Sequence, residues 1–217
     1  MCAITGSFSR EKTSELIALN SYRGGHSSSI SALRFDKNPR MWYNRRLGEI
    51  SHSYLTTAPG DFWITHQQAP TTTERKMDSV HPAAFEQRYN QNQFGEQLLW
   101  HNGIVKEECI KDLQYYYNLD YKWDTKLILY SIMKDGWNAL NKIDGSFSCL
   151  YYDGVDLFLF RNEISPMFID DELSFSSTKF EGSRETEPNK VWRLNLIERI
   201  LEDVATFKTI ENPYYFG

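Results

Sequence analysis

Between residues 145 and 178 the chain sets four short β-like runs one after another, "GSFSCLYYDG", "VDLFLFRN", "PMFIDD" and "LSFSST". Asp-Gly, Pro and Asp-Asp separate them, which is the punctuation of antiparallel strands joined by tight turns, so this stretch reads as a meander. Ahead of it, "DTKLILYSIMKDGWNALNK" has an N-cap residue at Asp124 and an apolar face from Leu127 to Met133, which predicts a helix. The front of the chain alternates in the same way: "CAITGSF" reads as a strand, "TSELIALNSY" as a Thr/Ser-capped helix and "RGGHSSS" as a loop. "SALRFD", "PRMWYN" and "DFWITHQ" follow as strands. "APTTTERKMDSVHPA" has neither period and is expected to be a surface excursion, and "QLLWHNGIV" reads as a strand running into an Asn-Gly turn. Helices alternating with antiparallel meanders give α+β layers, here in one domain over residues 1–217.

Composition narrows the function classes. A net charge of −5 gives no electrostatic footprint for nucleic acid or anionic lipid, and no stretch approaches the apolar length of a membrane span. The first residues lack the basic start and apolar segment of a secretory signal, so a cytoplasmic chain is expected. The three cysteines, Cys2, Cys109 and Cys149, form no C-x-x-C pair and suit a reducing compartment rather than a disulfide framework or a zinc site. Aromatic residues, at 15% of the chain, favour packed sheet.

Cys2 invites two readings. It is either a small buried hydrophobe in the first strand or, once Met1 is removed, a terminal nucleophile. A terminal cysteine carries a thiol and a free α-amine together, and an amine with a reference pKa of roughly 7.7–8.0 can act as the thiol's general base. A thiolate attacking an amide carbonyl also needs donors for the developing oxyanion. "HNG" at 101–103 offers the Asn102 side-chain amide and the Gly103 backbone N–H, although Asn-Gly is equally an ordinary turn dipeptide.

Taken in order, these stretches resemble the glutaminase domain of class II glutamine amidotransferases, the N-terminal-nucleophile family that includes the amino-terminal half of asparagine synthetase. "MCAITGSF" is similar to that family's Met-Cys-Gly-Ile-x-Gly opening, "RGGHSSS" to its Arg-Gly-Pro-Asp-x-Ser stretch and "THQQAPTT" to its His-x-Arg-x-Ser-Thr strand end. "HNGIV" resembles His-Asn-Gly-Glu-Ile, "WDTKLILYSI" the Ser-Asp-x-Glu helix start, and the runs from "IDGSFSCLYYD" to "LSFSST" its later strands. The resemblance covers about residues 2–180 and leaves 181–217 as a C-terminal extension.

It implies a four-layer αββα sandwich and a glutaminase that forms a thioester between Cys2 and the glutamine side-chain carbonyl. Asn102 and Gly103 would form the oxyanion hole, and Asp124 would hold the substrate α-ammonium, a role compatible with capping a helix. Arg23 and Gly24 would shape the pocket floor. His66 and His101 read as strand-end packing residues, since this mechanism needs no imidazole, and neither a metal nor a cofactor is implied. The residues after 180 are too few for an ammonia-using domain, so a separate ligase or aminotransferase chain is the expected acceptor, with "NPYYFG" as a candidate docking segment.

Two positions depart from the family. Gln68 stands where an arginine pairs with the glutamine α-carboxylate, a loss of about 1.5–3 kcal/mol. Ile104 stands where a glutamate follows Asn-Gly. Arg75 is a candidate to compensate. The substrate is accordingly glutamine or a related amide. Another γ-amide or γ-glutamyl compound and a degenerate, non-catalytic binding module are the alternatives.

Overall fold

The computed structural model describes residues 2–35, 40–69, 76–90 and 93–211. Met1, Arg75 and the "NPYYFG" segment lie outside the described residues. In chain order the first strands are β1 (Ala3–Ser7), β2 (Ser27–Arg34), β3 (Arg40–Leu47), β4 (Phe62–Gln68), β5 (Ala83–Asn90) and β6 (Gln93–Val105). They are followed by β7 (Gly145–Tyr152), β8 (Leu157–Arg161), β9 (Phe168–Ile169), β10 (Phe175–Ser176), β11 (Arg184–Glu185), β12 (Lys190–Asn195) and β13 (Ile200–Thr206). The helices are α1 (Arg10–Leu19), α2 (His52–Thr57), α3 (Glu107–Tyr117) and α4 (Asp124–Asp135).

The strands make two antiparallel sheets, a seven-stranded one in the order β11-β9-β10-β1-β4-β2-β3 and a six-stranded one in the order β13-β12-β8-β7-β6-β5. Period-two alternation explains the layering. Along β4, Phe62 and Ile64 face the other sheet, where they meet Leu98, Trp100, Leu150 and Leu159, while Trp63 faces outward onto Ile17 of α1 and Leu55 of α2. On the far side Val105, Phe147 and Cys149 pack against Leu113 of α3 and Ile128, Leu129 and Ile132 of α4. The result is the αββα sandwich, with apolar seams between all four layers, and each fully buried Leu, Ile or Phe contributes about 1.5–3 kcal/mol.

Several local expectations are corrected. The run from 145 to 178 is not one meander: β7 and β8 pair in the six-stranded sheet, whereas β9 and β10 cross to the seven-stranded one. "SSS" in "RGGHSSS" belongs to β2 and is buried, because Ser27 and Ser28 bond to Gln68 Oε1 and the Gly48 carbonyl. The predicted long helix ends at Asp135, since Gly136 takes φ +61°, and the chain continues as a 3-10 turn. The capped helix near the start begins earlier than the Thr/Ser reading, with Ser9 accepting from the Lys12 N–H. The C-terminal extension is part of the fold, because β12 pairs with β8.

Candidate active site

Cys2 precedes β1, and the register of β1 on β4 runs Ala3 opposite Gln67 and Ile4 opposite His66, which brings the cysteine beside Gln68 at the strand end. Cys2 is 6% exposed. Burial pushes its thiol up, while the Ala69 backbone N–H opposes that by favouring the thiolate. Ser27 Oγ donates to Gln68 Oε1, fixing the amide. The chain turning back at Gly24 lies so close that a Cβ there would sit 2.3 Å from the Gln68 carbonyl oxygen, and only glycine fits. Arg23 closes this end: its Nη1 donates to the Cys2 carbonyl at 3.5 Å, and its Nε to Thr178 Oγ1 at 2.9 Å.

The six-stranded sheet supplies the opposite wall. Pairing of β6 with β5 ends at Leu99 opposite Ala83, while pairing with β7 continues through Gly103 opposite Phe147 to Val105. Asn102-Gly103 is therefore no turn; it lies inside a strand with one open edge. Gly103 takes φ +152°, and a Cβ would lie 1.9 Å from the Ser146 carbonyl oxygen. The Ile104 N–H donates toward β7, to Ser146 Oγ at 3.2 Å, whereas the Val105 N–H points out of the open edge to Asp124 Oδ2 at 3.3 Å. Strand alternation puts the Gly103 N–H on the same open side as that of Val105.

Asp124 opens α4 with Trp123 in the cap position, and its Oδ1 accepts from the Thr125 N–H at 2.7 Å. It is thus a first-turn carboxylate bonded to its own neighbour rather than the expected N-cap. Asn102 is buried on the face toward the other sheet and its Nδ2 donates to Ser148 Oγ at 3.4 Å.

Three histidines fill the space behind the open edge. His66 donates from Nε2 to the His101 carbonyl at 3.1 Å and stacks on His81 with ring centroids 3.8 Å apart. Burial holds His66 neutral, with its pKa lowered to about 3, and drives His81 down as well. His81 Nε2 and His101 Nδ1 both reach Thr125 Oγ1, at 3.1 and 3.3 Å, and His101 Nδ1 lies 3.8 Å from Asp124 Oδ2. His101 Nε2 faces the Ser146 carbonyl, so it carries a proton. The Thr125 hydroxyl donates to Asp124 Oδ1 at 3.3 Å, so its oxygen accepts from His81 Nε2. The buried His81 Nδ1 is then a bare lone pair, which accounts for its lack of a partner. His66 is buried in the interior, whereas His101, expected to be a packing residue, also lines the cavity that holds Cys2 and Asp124, and His81 belongs to a stretch assigned to the surface. Its inward turn had no periodic signal to reveal it.

Cys2, Gln68, Gly103 and Asp124 line one cavity of about 690 Å³. Asn102 does not line it. Residues that sequence reasoning missed complete the walls, among them Lys76, His81, Ile110, Lys122 and Trp123. Among the described residues no group of three or more His, Cys, Asp or Glu side chains is placed to hold a metal, and no helix is long and apolar enough to cross a membrane.

No family model matches this chain, and no curated protein matches it. Solved structures do. The glutamine phosphoribosylpyrophosphate amidotransferase from B. subtilis, complexed with ADP and GMP, superimposes with a TM-score of 0.70 at 15% identity over 94% of this chain and 49% of that one. A structure described as the allosteric regulatory enzyme of purine biosynthesis gives 0.70 at 16% identity, over 94% and 48%. The chain thus spans about half the length of these structures. At such identities the likeness is one of fold, and that fold is the two-sheet α+β sandwich of N-terminal-nucleophile hydrolases.

Proposed function

We propose that this protein is a glutamine amidotransferase of class II, hydrolysing the side-chain amide of a glutamine-type substrate through Cys2 and releasing ammonia to an amide-forming ligase or aminotransferase on a separate chain. The observation that carries the reading is the convergence of Cys2, Gln68, Gly103 and Asp124 on one cavity, contributed by both sheets of this fold. Removal of Met1 frees the Cys2 α-amine to take the thiol proton. The Ala69 N–H favours the thiolate. The Gly103 N–H, with the Asn102 amide turned from Ser148, receives the oxyanion, where one such donor is worth about 10²–10³ in rate. Asp124 receives the α-ammonium, and Gln68 donates its amide N–H to the other end of the amino acid. Such a chain, like the amino-terminal half of asparagine synthetase that its motifs resemble, would work in the cytoplasm.

A binding module without turnover is the second reading, favoured by the Asn102 amide bonding to Ser148 and by the absence of Asn102 from the cavity wall. Intact mass before and after incubation with 6-diazo-5-oxo-L-norleucine separates the two. Loss of Met1 with one adduct, absent in Cys2→Ala, is the expected result. Quantitative retention of Met1 would sink the amidotransferase reading.

A further inference from the structure

Both oxygens of the Asp124 carboxylate are held. Oδ1 accepts from the Thr125 backbone N–H at 2.7 Å and from the Thr125 hydroxyl at 3.3 Å, while Oδ2 accepts from the Val105 N–H of β6 at 3.3 Å. His101 Nδ1 stands 3.8 Å from Oδ2, beyond hydrogen-bond reach. Two of the three donors are backbone groups, which any residue but proline supplies. Among the described residues, the Thr125 hydroxyl is the one donor that a side chain brings to this carboxylate. Thr125 is 0% exposed, whereas the Asp124 side chain is 20% exposed and lines the cavity with Cys2, so a ligand meets the carboxylate and not the hydroxyl.

A hydroxyl has one proton, and its neighbours decide where it points. Three polar atoms surround Thr125 Oγ1: Asp124 Oδ1, His81 Nε2 at 3.1 Å and His101 Nδ1 at 3.3 Å. Burial holds the His81 ring neutral with a single proton, and Nε2 is the ring nitrogen that has a partner to donate to. That ring is clamped in place, stacked on His66 and edge-on to Trp123 with centroids 5.1 Å apart. Its Nε2 therefore donates to the Thr125 oxygen and turns the hydroxyl proton away from itself. Of the two atoms left, His101 Nδ1 and Asp124 Oδ1, the carboxylate oxygen makes the stronger, charge-assisted bond. Resting on the amidotransferase reading above, in which Asp124 receives the substrate α-ammonium, we propose that Thr125 is a positioning residue for that reaction. Its hydroxyl, directed by His81, locks the Asp124 carboxylate in the orientation that binds the ammonium. Without the hydroxyl, Oδ1 keeps one backbone donor and His81 Nε2 loses its acceptor.

The test uses the full chain with Met1 removed and follows ammonia release from glutamine and from glutaramate, which is glutamine with hydrogen in place of its α-ammonium. Thr125→Val keeps the side-chain shape and removes the hydroxyl. Its KM for glutamine should rise about tenfold with kcat within about threefold of the parent, the order carried by one hydrogen bond to a charged group that acts on binding alone. Its kcat/KM for glutaramate, which has nothing to offer Asp124, should stay within about twofold. Thr125→Ser restores the hydroxyl and should return the glutamine KM to within about twofold of the parent. If the valine variant does not fold, Thr125→Cys, with its weak S–H donor, should show the same selective loss at a smaller factor. A merely structural role would impair both substrates alike or leave the serine variant as poor as the valine one. Either result overturns the proposal, as does a folded valine variant with an unchanged KM for glutamine, and the amidotransferase reading then stands on the turnover of the parent. No ammonia from either substrate, in folded parent with a free Cys2, overturns both.

Discussion

Gly103→Ala tests whether the open edge of β6 is the oxyanion site. The new Cβ would lie 1.9 Å from the Ser146 carbonyl oxygen and 2.8 Å from His101 Nε2. To reach ordinary contact at 3.4 Å that carbonyl must retreat by about 1.5 Å, a large fraction of a strand spacing of roughly 4.8 Å. Two bonds are lost with it, His101 Nε2 to the Ser146 carbonyl and the Ile104 N–H to Ser146 Oγ, at about 1 kcal/mol each. Holding alanine at φ +152° adds about 1–3 kcal/mol. The sum is about 3–5 kcal/mol, inside the 5–15 kcal/mol typical of a domain, so the variant should fold with a melting temperature lowered by about 6–20 °C. Turnover at a temperature where the variant is fully folded should fall by about 10²-fold or more, because the Gly103 N–H moves off its line. Ser146→Ala is the control. It removes only the hydroxyl, and should cost about 1 kcal/mol while leaving turnover within about threefold. A folded Gly103→Ala protein with turnover inside tenfold of the parent refutes the assignment of that N–H.

The remaining predictions concern stability. His66 is held neutral with its pKa lowered to about 3, against 6.5 when unfolded. Between those values the unfolded chain binds the extra proton, so stability is fully present above pH 6.5 and is lost progressively as pH falls. The loss from pH 7 to pH 5 is about 2 kcal/mol for His66, and burial shifts His81 in the same direction. Urea midpoints that stay flat over that interval would contradict the burial of this pair. Asn162 Oδ1 accepts from the N–H groups of Phe147, Ile164 and Ser165, and its Nδ2 donates to the Gly145 carbonyl at 2.7 Å. Asn162→Ala strands all of them and should cost about 3 kcal/mol or more. Asn162→Asp keeps the three acceptor bonds and should unfold measurably later than the alanine variant.

What the chain disclosed at sequence level follows from where its signals were local. Phe62, Ile64 and Trp63 alternate between two buried faces, so β4 was legible as a strand, but both faces being apolar says nothing about which sheet lies on which side. The same limit explains the split of the 145–178 runs. Turn residues mark where strands end and carry no information on whether the next strand pairs with its predecessor or crosses to the other sheet. α3 escaped notice because "EECIKDLQYYY" buries only Cys109 and Leu113 and leaves Tyr115 and Tyr116 in solvent, a thin stripe beside a polar and aromatic surface.

For the candidate site the order of visibility is reversed, and the reason is chemical. Cys2, Gly103 and Asp124 each had an ordinary alternative, as packed strand residue, turn and helix cap, and stood out through the order of the motifs that contain them; they line one cavity although up to 122 residues separate them. The supports did not stand out. Thr125 became significant only when α4 placed its hydroxyl between His81 and His101, and His81 only when the chain turned it onto His66. Such residues act by filling a hydrogen-bonding vacancy that exists only in the folded arrangement. Asn102-Gly103 shows the point most sharply. The dipeptide is ordinary in a turn, and here the glycine earns its place because β7 passes too close for any Cβ, while the edge that β5 leaves uncovered keeps the Gly103 N–H out of a ladder. A donor freed by an incomplete sheet is a property of strand pairing, and strand pairing is what a linear reading of this chain had least power to assign.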